Sequence, residues 1–189
     1  MALQTVLSVC LDCTNSKFTL QDDTKPYSAT ANAGGWGSPN PATSDVTSSL
    51  LYVTSPSGSV VSEIDISADL PSTDVNDSYD YYPSNNSQAF EDGIWQFEWV
   101  VKGTSDVGTD FYKKATKLIL VDCAVKCCVK KLGATIDGGC GCGGNADKAT
   151  EALLTYKAMH FAFDCGNHNR AKYLLGKLQA ICGNNCKGC

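Results

Sequence analysis

Histidine is almost missing from this chain, with 2 in 189 residues. Neither stands in a pattern that gathers a serine, cysteine or carboxylate around it, as nucleophilic or acid–base catalysis requires. His160 falls on or beside the apolar face of a predicted helix and reads as a packed residue, while His168 sits in a turn between Asn167 and Asn169. An enzyme is therefore not expected. Long apolar runs are missing too: none approaches the roughly 18 residues of a membrane-crossing helix, so no membrane insertion is expected. No block of Lys and Arg of the kind that neutralises a row of phosphates occurs, and nucleic acid is not an expected partner. The start, MALQTVLSVC, has no basic residue ahead of its short apolar stretch, which argues against a cleaved export signal.

The charge that is present divides unevenly. Residues 1–121 hold 6 Lys/Arg against 15 Asp/Glu, a net of −9, and residues 122–189 hold 9 against 5, a net of +4, giving −5 for the chain. An acidic part joined to a basic part suits head-to-tail association of identical subunits, which closes into a ring when the rotation allows. Two solvated faces without a partner explain the split equally well.

Cysteine is what the chain has in excess. Nine of its 11 cysteines lie after residue 120, and Cys10 and Cys13 form a CLDC pair near the start. CLDC and the terminal CKGC, Cys186 and Cys189, share the two-residue spacing with which neighbouring thiolates grip one tetrahedral zinc. Together they would staple the two ends of the chain. Cys123 and Cys127, four apart on one helix face, form a second candidate set with Cys140 and Cys142. Without an export signal the chain is expected to fold in a reducing cytosol, where clustered cysteines more often hold metal than form disulfides. Later release from the cell would allow oxidation, so zinc, disulfides and buried thiols all stay open. Cys165 and Cys182 read as buried single thiols, acting as small apolar residues. The GGCGCGG run matches no phosphate-loop pattern, and its glycines are explained by tight turning.

Apolar alternation marks strands in the first 121 residues. Residues 2–9, 18–21 and 48–54 are predicted strands. The turn SPSG leads into 59–66, where Val60, Ile64 and Ile66 are expected on one face and Glu63 and Asp65 on the other. In 93–103, Trp95, Phe97, Trp99 and Val101 alternate with Gln96 and Glu98, which predicts the central core strand. Residues 111–121 make a last strand. Two stretches, 22–47 and 67–92, are rich in Gly, Pro, Ser, Asn and Asp and read as long loops. Trp36 and the cluster Tyr79, Tyr81 and Tyr82 lie in them and supply aromatic surface of the kind interfaces favour, though a tyrosine there can equally fold back over its own sandwich.

From Asp122 the period changes to that of helices. Asp122 is placed to cap a helix with an apolar stripe at Val125, Cys128, Val129 and Leu132. A second helix over 146–165 carries Ala149, Leu153, Tyr156, His160 and Phe163, the GNHN turn reverses the chain, and a third over 170–182 carries Leu174, Leu175, Leu178, Ile181 and Cys182. The fold class expected is α+β. An antiparallel β-sandwich of immunoglobulin-like type over 1–121 is followed by a cysteine-rich helical module over 122–189, with three helices including a helical hairpin.

The order of motifs, a GGWG-x-PN-x-x-TSD loop, a strand hairpin, a DGIWQFEW strand, LILVDCAVKCCVKKL and a helical hairpin ending in ICGNNCKGC, resembles tail-associated virion structural proteins of crAss-like and related phages that infect Bacteroidota. The resemblance implies a virion building block of a tail or neck, a homo-oligomeric ring that contacts other virion proteins and is assembled in the host cytoplasm. The alternative from the residues themselves is a β-sandwich binding module, or adhesin, presenting Trp36 and the tyrosines to a host-surface glycan or protein.

Overall fold

The computed structural model describes residues 7–22, 46–67, 78–104, 110–136 and 146–185. They divide into two compact units, one within 1–91 and 95–119 and the other within 92–94 and 120–189.

The first unit is built from two sheets. Strands β1 (Leu7–Asp12), β2 (Lys17–Asp22) and β5 (Ser78–Tyr81) form one, in the order β1-β2-β5. Strands β3 (Val46–Thr54), β4 (Val60–Asp65), β6 (Gly93–Thr104) and β7 (Asp110–Val121) form the other, in the order β4-β3-β6-β7. The pairs β1–β2, β2–β5, β3–β4 and β3–β6 are antiparallel. The turn between β1 and β2 is set by Asp12, whose Oδ1 accepts from the N–H groups of Thr14 at 2.9 Å and Asn15 at 3.1 Å, an Asx-type turn of the sort Asp favours. Residues 1–6, on which most of the first expected strand falls, lie outside the described residues.

Alternation then fills the core as expected. Phe18 and Leu20 of β2, Leu51 and Val53 of β3, and Trp95, Phe97 and Trp99 of β6 are all buried. The Phe18 ring lies 5.0 Å from Trp95 and 4.9 Å from Phe97, and Tyr81 lies 5.9 Å from Phe97. Aromatic side chains of both sheets thus meet in one cluster, at separations where tilted and edge-to-face pairs attract. The indole N–H groups are satisfied, Trp95 donating to the Glu91 carbonyl at 3.0 Å and Trp99 to the Ser49 hydroxyl.

Two local expectations change. The stretch 67–92 is not only loop, since it contains β5 and a short 3-10 turn over Pro83–Asn86. In β4, Val60 points outward instead of joining Ile64 and Ile66. Val53 pairs with Val61 but Leu51 pairs with Ile64, so β4 carries one residue more than β3 between those pairs. Glu63, at φ 59, absorbs the extra residue. Such a bulge shifts the alternation by one.

The second unit contains α1 (Cys123–Ile136), α2 (Ala146–Asp164) and α3 (His168–Asn185). Its core gathers Val125, Cys128 and Leu132 of α1, Ala149, Ala152, Met159 and Ala162 of α2, and Ala171, Leu175, Leu178 and Cys182 of α3. The stripes of α1 and α3 are those the sequence predicts. That of α2 is rotated, because Ala152, Met159 and Ala162 face inward while Leu153 turns out. Small alanines let backbones approach closely, and close packing of α2 on its neighbours decides the rotation. The α2–α3 turn follows from Gly166 at φ 76, with Asn167 accepting from the Arg170 N–H at 3.1 Å to cap α3.

Candidate functional site

The polar centre of the helical unit lies at the start of α1. Asp122 is buried, and its carboxylate accepts from the Tyr156 hydroxyl at 2.6 Å and pairs with His160 Nε2 at 2.8 Å. The ring of Tyr156 stands edge-on to His160 at 4.7 Å. Asp122 caps α1 only through its backbone, its carbonyl accepting from the Lys126 N–H at 2.8 Å. The side-chain cap comes from Asp92, which accepts from Ala124 at 3.2 Å and Val125 at 3.0 Å.

Burial pushes the Asp92 carboxyl above the usual aspartate value; the N–H groups of Val125 and Ala124 oppose the shift and the nearby Asp122 charge adds to it. Burial likewise raises the Tyr156 hydroxyl, and donation to Asp122 holds its proton further. The helical period predicts His160 as a packed residue. Instead its side chain is 40% exposed and one ring nitrogen is held by a carboxylate. That arrangement can position a general base. Among the described residues no hydroxyl or thiol is hydrogen-bonded to the imidazole, so the cluster reads as a latch joining α1 to α2.

The cysteines are partly oxidised. Cys128 of α1 and Cys182 of α3 form a disulfide across the core with a Cα–Cα distance of 5.9 Å. Cys182 is therefore buried but not a single thiol. Cys165 carries a free thiol and is exposed, because it follows the last residue of α2 and leaves the buried face. Cys13 and Cys123 are also disulfide-bonded, a state that offers no thiolate to a metal. Cys127 is half-buried on α1. Of the other expected zinc ligands, Cys140, Cys142, Cys186 and Cys189 lie outside the described residues, as does the side chain of Cys10. Among the described residues no three His, Cys, Asp or Glu side chains are placed to hold a metal.

The aromatic candidates separate. Trp36 lies outside the described residues. Tyr81 is buried in the core, its hydroxyl donating to Gln88 Oε1, while Gln88 Nε2 donates to the Ser59 carbonyl at 2.8 Å. It offers no surface to a partner. Tyr79 and Tyr82 are half-buried. The Lys17 ammonium stands 5.9 Å from the Tyr82 ring centre and pairs with Asp80 at 2.7 Å. Hydrogen bonds from Lys17 and Thr19 hold the Asp80 carboxyl below the usual aspartate range.

A surface the sequence did not single out lies on the helical hairpin. Leu154, Phe161 and Tyr173 are 62%, 70% and 72% exposed. The one available signal was that α2 is apolar on more than one side, which periodicity alone cannot divide into inner and outer faces. No family model, curated protein or solved structure matches this chain.

Proposed function

We propose that this protein is a structural component of a phage virion, a tail or neck protein that acts through contacts between identical subunits and has no catalytic role. The observation that carries the reading is the apolar outer face of the α2–α3 hairpin. Leu154, Phe161 and Tyr173 stand in solvent there while α2 turns Ala149, Ala152 and Ala162 with Met159 to the core, and large apolar groups gathered on one exposed face suit an interaction surface. The virion setting, the ring and the contacts with other virion proteins rest on the resemblance of motif order. The two antiparallel sheets with a shared aromatic cluster support an immunoglobulin-like sandwich as the frame, and the Cys128–Cys182 disulfide supports a rigid helical module.

Native mass spectrometry of the untreated and reduced protein tests the reading, because one measurement reports subunit number, the mass change of each disulfide and any zinc held by remaining thiolates. A stable homo-oligomer is expected. A lone monomer that binds glycans would replace this reading with that of a host-surface binding module.

A further inference from the structure

Helix α2 distributes its side chains against the usual rule for a surface helix. Its buried face sets Ala149, Ala152 and Ala162 beside Met159, with Ala171 opposite on α3, whereas Leu154 and Phe161 stand outside. The ion pair between Glu151 of α2 and Lys177 of α3, at 2.7 Å, ties the two helices along one side of their seam. Leu154 is one turn beyond Glu151, Phe161 two turns further, and Tyr173 one turn before Lys177. Because the helices form a hairpin, these positions bring the three apolar side chains to the same side. On α3, Arg170 and Lys172 are exposed and no Asp or Glu occurs, Lys177 being paired with Glu151, whereas α2 carries exposed Lys157 beside exposed Asp147 and Asp164. The face is apolar in the middle, mixed in charge on its α2 side and basic along its α3 side.

The first unit carries the opposite pattern. Among the described residues strand β4 is an edge of its sheet. Val60 there is 61% exposed, and Glu63 and Asp65 of the same strand are exposed. Glu91 accepts from the Ser57 N–H at 2.9 Å, which holds a third carboxylate beside the turn that precedes Val60. An apolar residue flanked by carboxylates on a sheet edge is complementary to an apolar face flanked by Lys and Arg.

We propose that the outer face of the α2–α3 hairpin docks on the β4 edge of a second copy of this chain. The inference rests on the reading of self-association and names the two faces involved. Different patches meet, so the contact is head-to-tail and repeats from copy to copy, as rings and tubes require. Ion pairs at the rim of such a contact govern orientation and weaken with salt, while the central apolar groups hold it.

Sedimentation velocity of the full chain over a range of concentration and salt, with circular dichroism to check folding, tests the proposal. Phe161→Glu, at an exposed position, is expected to keep the fold and weaken association by about tenfold or more. The pair Arg170→Glu and Lys172→Glu should weaken it too, and adding Glu63→Lys and Asp65→Lys should restore it. A photo-crosslinker at 161 should label residues 60–65 of another copy. Labelling of 154, 161 or 173 instead would mean that the hairpins pair with each other and would overturn the β4 contact. An oligomer indifferent to all these changes overturns this contact and leaves self-association standing. A wild-type chain that stays monomeric at every concentration and salt overturns both.

Discussion

Asp92 caps the helix that Asp122 begins. The carboxylate of Asp92 accepts from the N–H groups of Ala124 and Val125, 32 and 33 positions along the chain, while Asp122, at the position sequence rules assign to the cap, turns its carboxylate to Tyr156 and His160. One acid orders the first turn of α1 and the other joins α1 to α2.

Removing the cap and removing its charge should therefore differ. Asp92→Ala is expected to cost about 1 kcal/mol, the usual loss of a side-chain cap. Asp92→Asn keeps an acceptor oxygen and should be tolerated at neutral pH. Because folding raises the Asp92 pKa, the folded state binds the extra proton, and wild-type stability should fall as pH rises from the ordinary aspartate value through the raised one. Urea unfolding across that window should show the decline in the wild type and its absence in Asp92→Asn.

The latch at Asp122 should respond as a coupled pair. Tyr156→Phe removes a donor to a buried carboxylate and is expected to cost about 1–3 kcal/mol, the range for leaving a buried polar group short of a partner. Asp122→Ala leaves the Tyr156 hydroxyl without its acceptor. In a double-mutant cycle read by denaturant midpoints the two effects should fall short of adding. Strict additivity would show that the 2.6 Å hydrogen bond contributes nothing.

The disulfide clamps α1 to α3 over a sequence separation of 54. Chain-entropy arguments put the stabilisation from closing a loop of that length at about 4 kcal/mol. Replacing both Cys128 and Cys182 with Ala, which leaves no stray thiol, should lower the stability of the helical unit by about 2–5 kcal/mol. Thermal unfolding with and without a thiol reductant should reproduce the loss in the wild type and show no reductant effect attributable to this bond in the variant.

Gln88 is the polar tie inside the first unit. It accepts from Tyr81 and donates to the Ser59 carbonyl, joining the sheet that contains β5 to the turn ahead of β4. Gln88→Leu would strand the buried Tyr81 hydroxyl, whereas the exposed Ser59 carbonyl keeps the Ser55 N–H at 2.9 Å, and the stranded hydroxyl is expected to cost about 1–3 kcal/mol. Pairing it with Tyr81→Phe should recover part of that loss in equilibrium unfolding.

Local pattern was enough for much of this fold. Alternation at Trp95, Phe97 and Trp99 placed β6 and its buried face. The spacing of Leu174, Leu175, Leu178 and Ile181 placed α3, and Gly166 with Asn167 marked the turn before it. What stayed hidden was any feature set by a neighbour distant in sequence. Local pattern leaves Tyr81 open between an interface surface and a place over its own sandwich, and pairing of Phe18 with Tyr81 decides it by drawing β5 into a sheet. Alternation alone predicts Val60 as inward, because nothing in a strand announces the bulge at Glu63.

The sequence by itself determined that strands precede helices, that an acidic part precedes a basic one, and that the cysteines crowd the helical end, since composition and period are properties of short windows. Only the tertiary structure decided which side of α2 is buried, which aspartate caps α1, and that Cys128 meets Cys182. Those choices depend on which backbones approach one another closely, and that is settled by packing between segments far apart in the chain.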